Sequence, residues 1–186
     1  MTLIFVVLYG CTPQNEFDKG VEKLKELDEQ YGSSLKSPPE TTIQIDNLIA
    51  QIIGFRVLNE NLPQSLESLL DFKIKFLEAE KLSAEGWQWG RASTTEFGFG
   101  CKKGYARISE AARLRNLSAN TGFEAVALLQ SFVDNFPEES KSLNLTQKDS
   151  LFLNAMYFQV KEKALRDAGF IESACGNKEY NKTYVK

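Results

Sequence analysis

The chain has 186 residues and a net charge of −3, and its hydrophobic and charged fractions, 42% and 25%, are those of a folded domain rather than a disordered chain. An acidic balance of this kind argues against nucleic acid as a bulk partner. The chain contains no histidine, so the commonest metal ligand and the commonest general base are both missing. This absence argues against zinc enzymes, Ser-His-Asp hydrolases and Cys-His proteases.

A short apolar run occupies residues 3–9 at the amino terminus. It is shorter than the roughly 20 apolar residues of a transmembrane helix, but it fits the apolar part of a secretory signal. Residues 8–11 (LYGC) fill the four lipobox positions, and the segment resembles a prokaryotic lipoprotein signal. The resemblance implies a signal over residues 1–10, a diacylglycerol anchor on the Cys11 thiol, and a short tether over residues 11–15 on the extracytoplasmic face of the cell membrane.

The alternative interpretation of this run is the buried first strand of a nucleotide-binding fold. Such a fold would require further strand–helix units and a glycine-rich turn, and the sequence contains neither. The lipoprotein signal therefore fits residues 1–11 better than a buried strand does.

Apolar residues recur at helical spacing along the rest of the chain, between charged residues that would face solvent. This periodicity predicts six helices, over residues 15–31, 40–58, 63–82, 108–116, 121–136 and 146–174. Together they form one helical domain over residues 16–175, followed by a polar tail over residues 176–186.

Helix boundaries follow from particular residues. Gly32 ends the first predicted helix, Thr41 or Thr42 caps the second, and Thr146 with Asp149 caps the last. A similar pattern at residues 121–124, Thr followed by Glu three residues later, predicts that a new helix begins there. Within the third helix the residues 72–76 alternate between aromatic or aliphatic and charged side chains, as in a strand, but the long uninterrupted run favours a helix.

The fold class predicted from these elements is all-α, an antiparallel helical bundle or a stack of helical hairpins. Residues 123–137 (FEAVALLQSFVDNFP) resemble the second helix of a tetratricopeptide repeat, and residues 154–164 resemble the start of another. This resemblance covers about a quarter of the chain and implies the hairpin stack. Since a plain bundle would give similar amphipathic segments, both architectures stay open.

The three cysteines support an exported location. If Cys11 carries the lipid, Cys101 and Cys175 remain as one pair, and a disulfide between them would persist outside the cytoplasm. Closing a loop of that length would stabilise the fold by about 4 kcal/mol in the chain-entropy model. The alternative is that both are ordinary buried thiols.

Residues 86–105 combine glycines with aromatic side chains, and we predict an ordered loop there. Its aromatic faces and the nearby guanidinium groups could bind a flat or anionic ligand. The candidate ligand-binding residues are Trp87, Trp89, Arg91, Arg107 and Arg113. The alternative is that the aromatic rings fill gaps between helices and that the charges form a solvated surface.

No catalytic, metal-binding or cofactor-binding pattern stands out in the sequence. We therefore expect a membrane-tethered, extracytoplasmic protein that binds or scaffolds a protein partner, without catalysis, cofactor or metal. One alternative is a solute-binding lipoprotein that uses the aromatic and arginine residues. A second is an envelope hydrolase that uses a pair of carboxylates, drawn from Glu67, Glu78, Glu80 and Glu110.

Overall fold

The computed structural model describes residues 13–59, 61–96 and 101–175, with side chains over residues 16–59, 61–91 and 106–170. These residues confirm the predicted all-α class, and apart from an isolated bridge between Ser34 and Ser37 they contain no β structure. They form six helices: α1 (Pro13–Gln30), α2 (Thr42–Leu58), α3 (Gln64–Glu96), α4 (Cys101–Asn135), α5 (Pro137–Ser142) and α6 (Gln147–Cys175). None of these helices combines the length and apolarity that a membrane span requires.

Three long helices form the frame of the molecule. α3 and α4 pack against each other as an antiparallel pair, and α6 packs along α4, again antiparallel. The shorter α1 and α2 pack on each other and on α3. Helices of 33, 35 and 29 residues make a bundle of long helices.

The main core lies where α1 and α2 cover the first half of α3. The end of α4 and the beginning of α6 also contribute side chains to it. One stripe of each helix faces it, because apolar residues recur every three or four positions. Its fully buried large side chains include Phe17, Leu24, Ile45, Leu48, Ile52, Leu66, Leu69, Phe72, Phe76, Phe132 and Tyr157. Between the first half of α4 and the second half of α6, the buried side chains are mostly small, so these helices approach closely there. They include Ala111, Ala112, Ala119, Ala164 and Ala168.

Local capping residues set several helix ends as predicted. Thr41 is the N-cap of α2, in a capping box with Gln44. Before α6, both the backbone N–H and the hydroxyl of Thr146 donate to the Asp149 carboxylate, at 2.8 and 2.9 Å. Gly32 follows α1 with a φ of 66°, which is a conformation that glycine adopts without strain.

A buried ion pair fixes the connection between α1 and α2. The side chain of Lys73 in α3 is 0% exposed and lies 2.7 Å from the carboxylate of Asp28, which is 5% exposed. The same ammonium group donates to the Ser33 hydroxyl at 3.1 Å and to the backbone carbonyl of Ser34. Burial lowers the pKa of Lys73, and the neighbouring Asp28 opposes that shift. Lys73 thus has one carboxylate counter-ion and two hydrogen-bond acceptors, which makes it a structural anchor for the 33–37 turn.

The prediction of an ordered loop over residues 86–105 is wrong for most of that segment. α3 continues to Glu96 and α4 begins at Cys101, while residues 97–100 lie outside the described part. The glycines that indicated a loop instead allow close helix packing. A Cβ on Gly86 would lie 3.0 Å from Cγ of Arg115, and one on Gly90 would collide with the guanidinium of Arg115.

The predicted helix boundary at residues 117–121 is also wrong, since α4 runs unbroken from Cys101 to Asn135. Thr121 therefore lies inside a helix, and residues 123–135 of the tetratricopeptide-like segment are the end of a long helix rather than a separate one. The continuity is explained by helix packing, since the ring of Tyr157 in α6 lies directly against Gly122. A Cβ at position 122 would collide with that ring. The glycine thus provides the space in which the tyrosine ring packs.

The proposed lipid and disulfide positions are only partly reached by the structure. Cys11 lies outside the described residues. Cys101 begins α4 and Cys175 ends α6, and because these two helices are antiparallel, both residues lie toward the same end of the bundle. Their side chains are not among those described, so the disulfide stays a prediction.

Candidate functional site

An open cavity of about 230 Å³ lies between α3, α4 and α6, in the region where the bundle is lined by small side chains. α3 contributes an aromatic ring, a glycine and a guanidinium, α4 an isoleucine and a second guanidinium, and α6 an ammonium and a carboxylate. The residues that line it are Trp87, Gly90, Arg91, Ile108, Arg115, Lys163 and Asp167. We call this space the arginine cavity.

Arg115 is the central residue of the arginine cavity. Its side chain is 3% exposed and forms an ion pair with Asp167, which is 6% exposed. The guanidinium also lies over the ring of Trp87, with Cζ 4.6 Å from the ring centroid. Lys163, one turn before Asp167 on α6, shares the same carboxylate. A single carboxylate therefore serves two cations from two helices.

The five candidate residues do not all converge on this cavity. Trp87 and Arg91 line it. Trp89 instead packs with Arg107, whose Cζ lies 5.7 Å from the ring centroid. Arg113 forms a two-pronged pair with Glu110 on its own helix, with one contact of 2.8 Å, and this pair lowers the pKa of Glu110.

The other charged residues of the cavity, Arg115, Lys163 and Asp167, are not among the five candidate ligand-binding residues. The i, i+4 spacing of Lys163 and Asp167 was a visible signal for a pair on one helix face. Nothing in the linear sequence connects that pair to Arg115, which lies 52 residues from Asp167. Only the antiparallel packing of α4 and α6 brings them together.

A second candidate surface is the outer face of α6. Leu151, Phe158 and Leu165 are 68%, 56% and 45% exposed, although α6 packs firmly on α4 through its other side. They recur at seven-residue intervals and so lie along one line of the helix. Ala155 and Gly169, which share this face, are exposed as well, and their small size would let another helix approach closely. We call this surface the α6 outer face.

Glu80 is a partly buried carboxyl whose environment most resembles that of a catalytic acid. It lies on α3 and accepts a hydrogen bond of 2.8 Å from the hydroxyl of Tyr157 on α6. Burial raises the pKa of Glu80, and the same environment raises the pKa of Tyr157. Its partner is thus a fully buried phenol rather than the second carboxylate that the predicted hydrolase would use.

We expect Glu80→Gln to stabilise the protein at neutral pH. A carboxyl whose pKa is raised by folding contributes stability below its unfolded pKa, and that contribution is lost as the pH rises through the folded pKa. Each unit of such a shift corresponds to about 1.4 kcal/mol at neutral pH. The amide of glutamine can still accept the Tyr157 hydrogen bond without carrying a charge.

Urea denaturation of both proteins between pH 4 and pH 8, followed by circular dichroism, measures this effect. The advantage of the Gln variant should be present at pH 8 and should shrink toward pH 4. A variant that is less stable at every pH would show that the carboxylate itself is required.

Comparison with known proteins gives no information on the function of this chain. No protein-family model matches the sequence, and no curated protein or solved structure is significantly similar to it. Within the described residues, no group of three or more acidic, cysteine or histidine side chains is placed to hold a metal ion. The proposed functions therefore rest on the geometry of the arginine cavity and of the α6 outer face.

Proposed function

We propose that this protein is a lipid-anchored, extracytoplasmic scaffolding protein without catalytic activity, and that the α6 outer face is its docking surface. The observation that supports the docking surface is the line of exposed apolar side chains at Leu151, Phe158 and Leu165. An amphipathic helix that pairs with another helix presents apolar residues at this spacing. Burying one such side chain contributes about 1.5–3 kcal/mol.

The partner that this face fits is a second copy of the chain. The two leucines are each seven residues from Phe158, so the line is symmetric about that residue. In an antiparallel pair of α6 helices, Phe158 would meet its own counterpart, and Leu151 would lie opposite Leu165 of the partner subunit. A twofold interface requires such self-complementarity. The line is about 21 Å long, since a helix rises 1.5 Å per residue.

The interface of one helix line is smaller than the roughly 800 Å² per partner of a standard stable complex. Pairing should therefore be weak in dilute solution. A lipid anchor would strengthen it, because two tethered copies share a high effective concentration at the membrane. The tether and the docking surface thus support each other in this proposal.

Replacing Phe158 by Glu should abolish self-association. A charge at the symmetry centre would face the same charge on the partner subunit and would be removed from water there. Light scattering coupled to size exclusion, over a range of protein concentrations, measures the change. Val57→Glu is the matched control, because Val57 is a similarly exposed apolar residue on α2.

Wild type and the Val57 variant should show the same concentration-dependent rise in mass, whereas the Phe158 variant should remain monomeric. A wild type that remains monomeric when concentrated contradicts pairing with a second copy. A photoreactive amino acid at position 158 would then identify a different protein partner in native membranes.

Replacing Cys11 by Ala should remove the membrane anchor. In a bacterial host that processes lipoproteins, the wild type expressed from a complete start should enter the detergent phase and gain the mass of a diacylglycerol group. The variant lacks the thiol and should stay in the aqueous phase. If both proteins stay aqueous at unmodified mass in such a host, the lipid anchor is wrong.

A further inference from the structure

Cationic side chains outnumber carboxylates in the lining of the arginine cavity, although the net charge of the protein is −3. Its described lining contains three cationic side chains, Arg91, Arg115 and Lys163, and one carboxylate, Asp167. These groups surround a space of about 230 Å³. One carboxylate, that of Asp167, pairs with both Arg115 and Lys163.

The hydrogen bonding of Arg115 points in the same direction. Its side chain is buried, and its Nε is a buried donor without a hydrogen-bond partner. Leaving a buried donor unsatisfied costs about 1–3 kcal/mol, and more when the group is charged. An anion in the cavity would supply oxygen acceptors beside this guanidinium, and the fork of an arginine matches the spacing of phosphate or carboxylate oxygens.

The packing around Arg115 leaves the cavity small and leaves one side of it apolar. Gly90 and Gly86 of α3 have no side chains where the arginine passes, so the guanidinium fits against the helix backbone. The Trp87 ring holds it by a cation–π contact, and Ile108 adds an aliphatic wall. Pockets for drug-sized ligands have volumes of about 300–1,000 Å³, so this one suits a small ion or a small molecule's charged group.

We propose that the arginine cavity binds inorganic phosphate or the phosphate group of a small monoester, held by Arg91, Arg115 and Lys163, with Trp87 as its aromatic wall. A phosphate monoester carries nearly two negative charges at neutral pH and presents three acceptor oxygens, which suits a lining with three cationic side chains better than a single carboxylate does. The proposal does not depend on the α6 outer face or on the lipid anchor.

Tryptophan fluorescence tests this proposal directly. The Trp89→Phe variant retains Trp87 as its single tryptophan, at the edge of the cavity. Titration with inorganic phosphate at constant ionic strength should change its emission saturably, and calorimetric titration should give the same Kd. Phosphate should also raise the Tm, because a ligand that binds only the folded state stabilises it.

Variants of the lining should move the affinity in opposite directions. Arg91→Gln and Lys163→Gln each remove one cation and should weaken phosphate binding about tenfold, as expected for loss of one charge-assisted hydrogen bond. Asp167→Asn removes the competing carboxylate and should tighten binding. Arg113→Gln is the matched control, because Arg113 pairs with Glu110 outside the cavity and its loss should leave the Kd unchanged.

The test uses Arg91 and Lys163 rather than Arg115. Arg115 is buried in an ion pair with Asp167, so its replacement would also affect folding. Phosphate binding that is equally strong in wild type and in the Arg91 and Lys163 variants would overturn the proposal, as would the absence of a saturable fluorescence or Tm change. Vesicles of phosphatidylcholine with and without phosphatidic acid separate the two sources of the phosphate group. Binding of the phosphatidic acid vesicles that requires Arg91 and Lys163, and that free phosphate competes away, would assign the site to a lipid headgroup.

Discussion

Replacing Lys73 by Met should lower the free energy of unfolding by about 3–5 kcal/mol, which is the usual effect of breaking a buried ion pair by removing one partner. The substitution leaves the Asp28 carboxylate buried without its cation, since both side chains are almost completely inaccessible to solvent. It also removes the donor to the Ser33 hydroxyl and the Ser34 carbonyl, so the connection between α1 and α2 loses its anchor.

Urea denaturation, followed by circular dichroism, measures the loss, and Lys75→Met is its control. Lys75 lies two residues away on the same helix, where it pairs on the partly exposed surface with Glu78 at 3.0 Å and Glu124 at 3.5 Å. Surface pairs of this kind contribute about 0–1 kcal/mol. The double variant Asp28→Leu/Lys73→Met should be more stable than Lys73→Met alone, because it leaves no buried charge. Equal losses at positions 73 and 75 would contradict the anchoring role of Lys73.

Replacing Gly122 by Ala should destabilise the protein by roughly 2–3 kcal/mol, as overpacking of a dense core does. Alanine normally stabilises a helix relative to glycine by about 1 kcal/mol, so the expected sign is the reverse of the local preference. The reason is the buried ring of Tyr157, whose carbons occupy the position that the new methyl group would need. The colliding atoms are Cγ and the two Cδ atoms of the ring. Rotation of the ring about its own axis therefore cannot relieve the collision.

Gly169→Ala is the comparison, and it should change the stability of the protein in the opposite direction. Gly169 lies within α6, and no atom lies within 4 Å of the position of its missing Cβ. This substitution should therefore stabilise the protein by about 0.5–1 kcal/mol. Thermal and urea unfolding of both variants measure the two signs. If Gly122→Ala stabilises the protein as Gly169→Ala does, α4 and α6 do not approach closely at Gly122.

Local sequence determined the all-α class and several helix ends. Amphipathic periodicity specifies helices because each helix must bury one face, and Thr41, Asp149 and Gly32 act on their own helix ends through neighbouring backbone groups. Capping and turn residues act over three or four positions, so they can be recognised without knowledge of the rest of the fold.

The lengths of α3 and α4 were decided by tertiary packing. Gly86, Gly90 and Thr121 have poor intrinsic helix preference and predicted interruptions. In the folded chain the two glycines accommodate Arg115, and Thr121 lies in the unbroken helix beside Gly122. Such long-range contacts outweigh a local preference of about 1 kcal/mol per residue, and the linear sequence does not display them.

The candidate sites divide in the same way. Composition placed Trp87 and Arg91 among five candidate ligand-binding residues, and the regular spacing along α6 was present in the sequence. The other charged groups of the cavity depend on how the helices pair. Arg115 reaches Asp167 only through the antiparallel packing of α4 on α6. Sequence determined which chemical groups each helix carries, whereas the tertiary structure decided which of them share one cavity and which face stays exposed, because burial and contact are properties of packed helices.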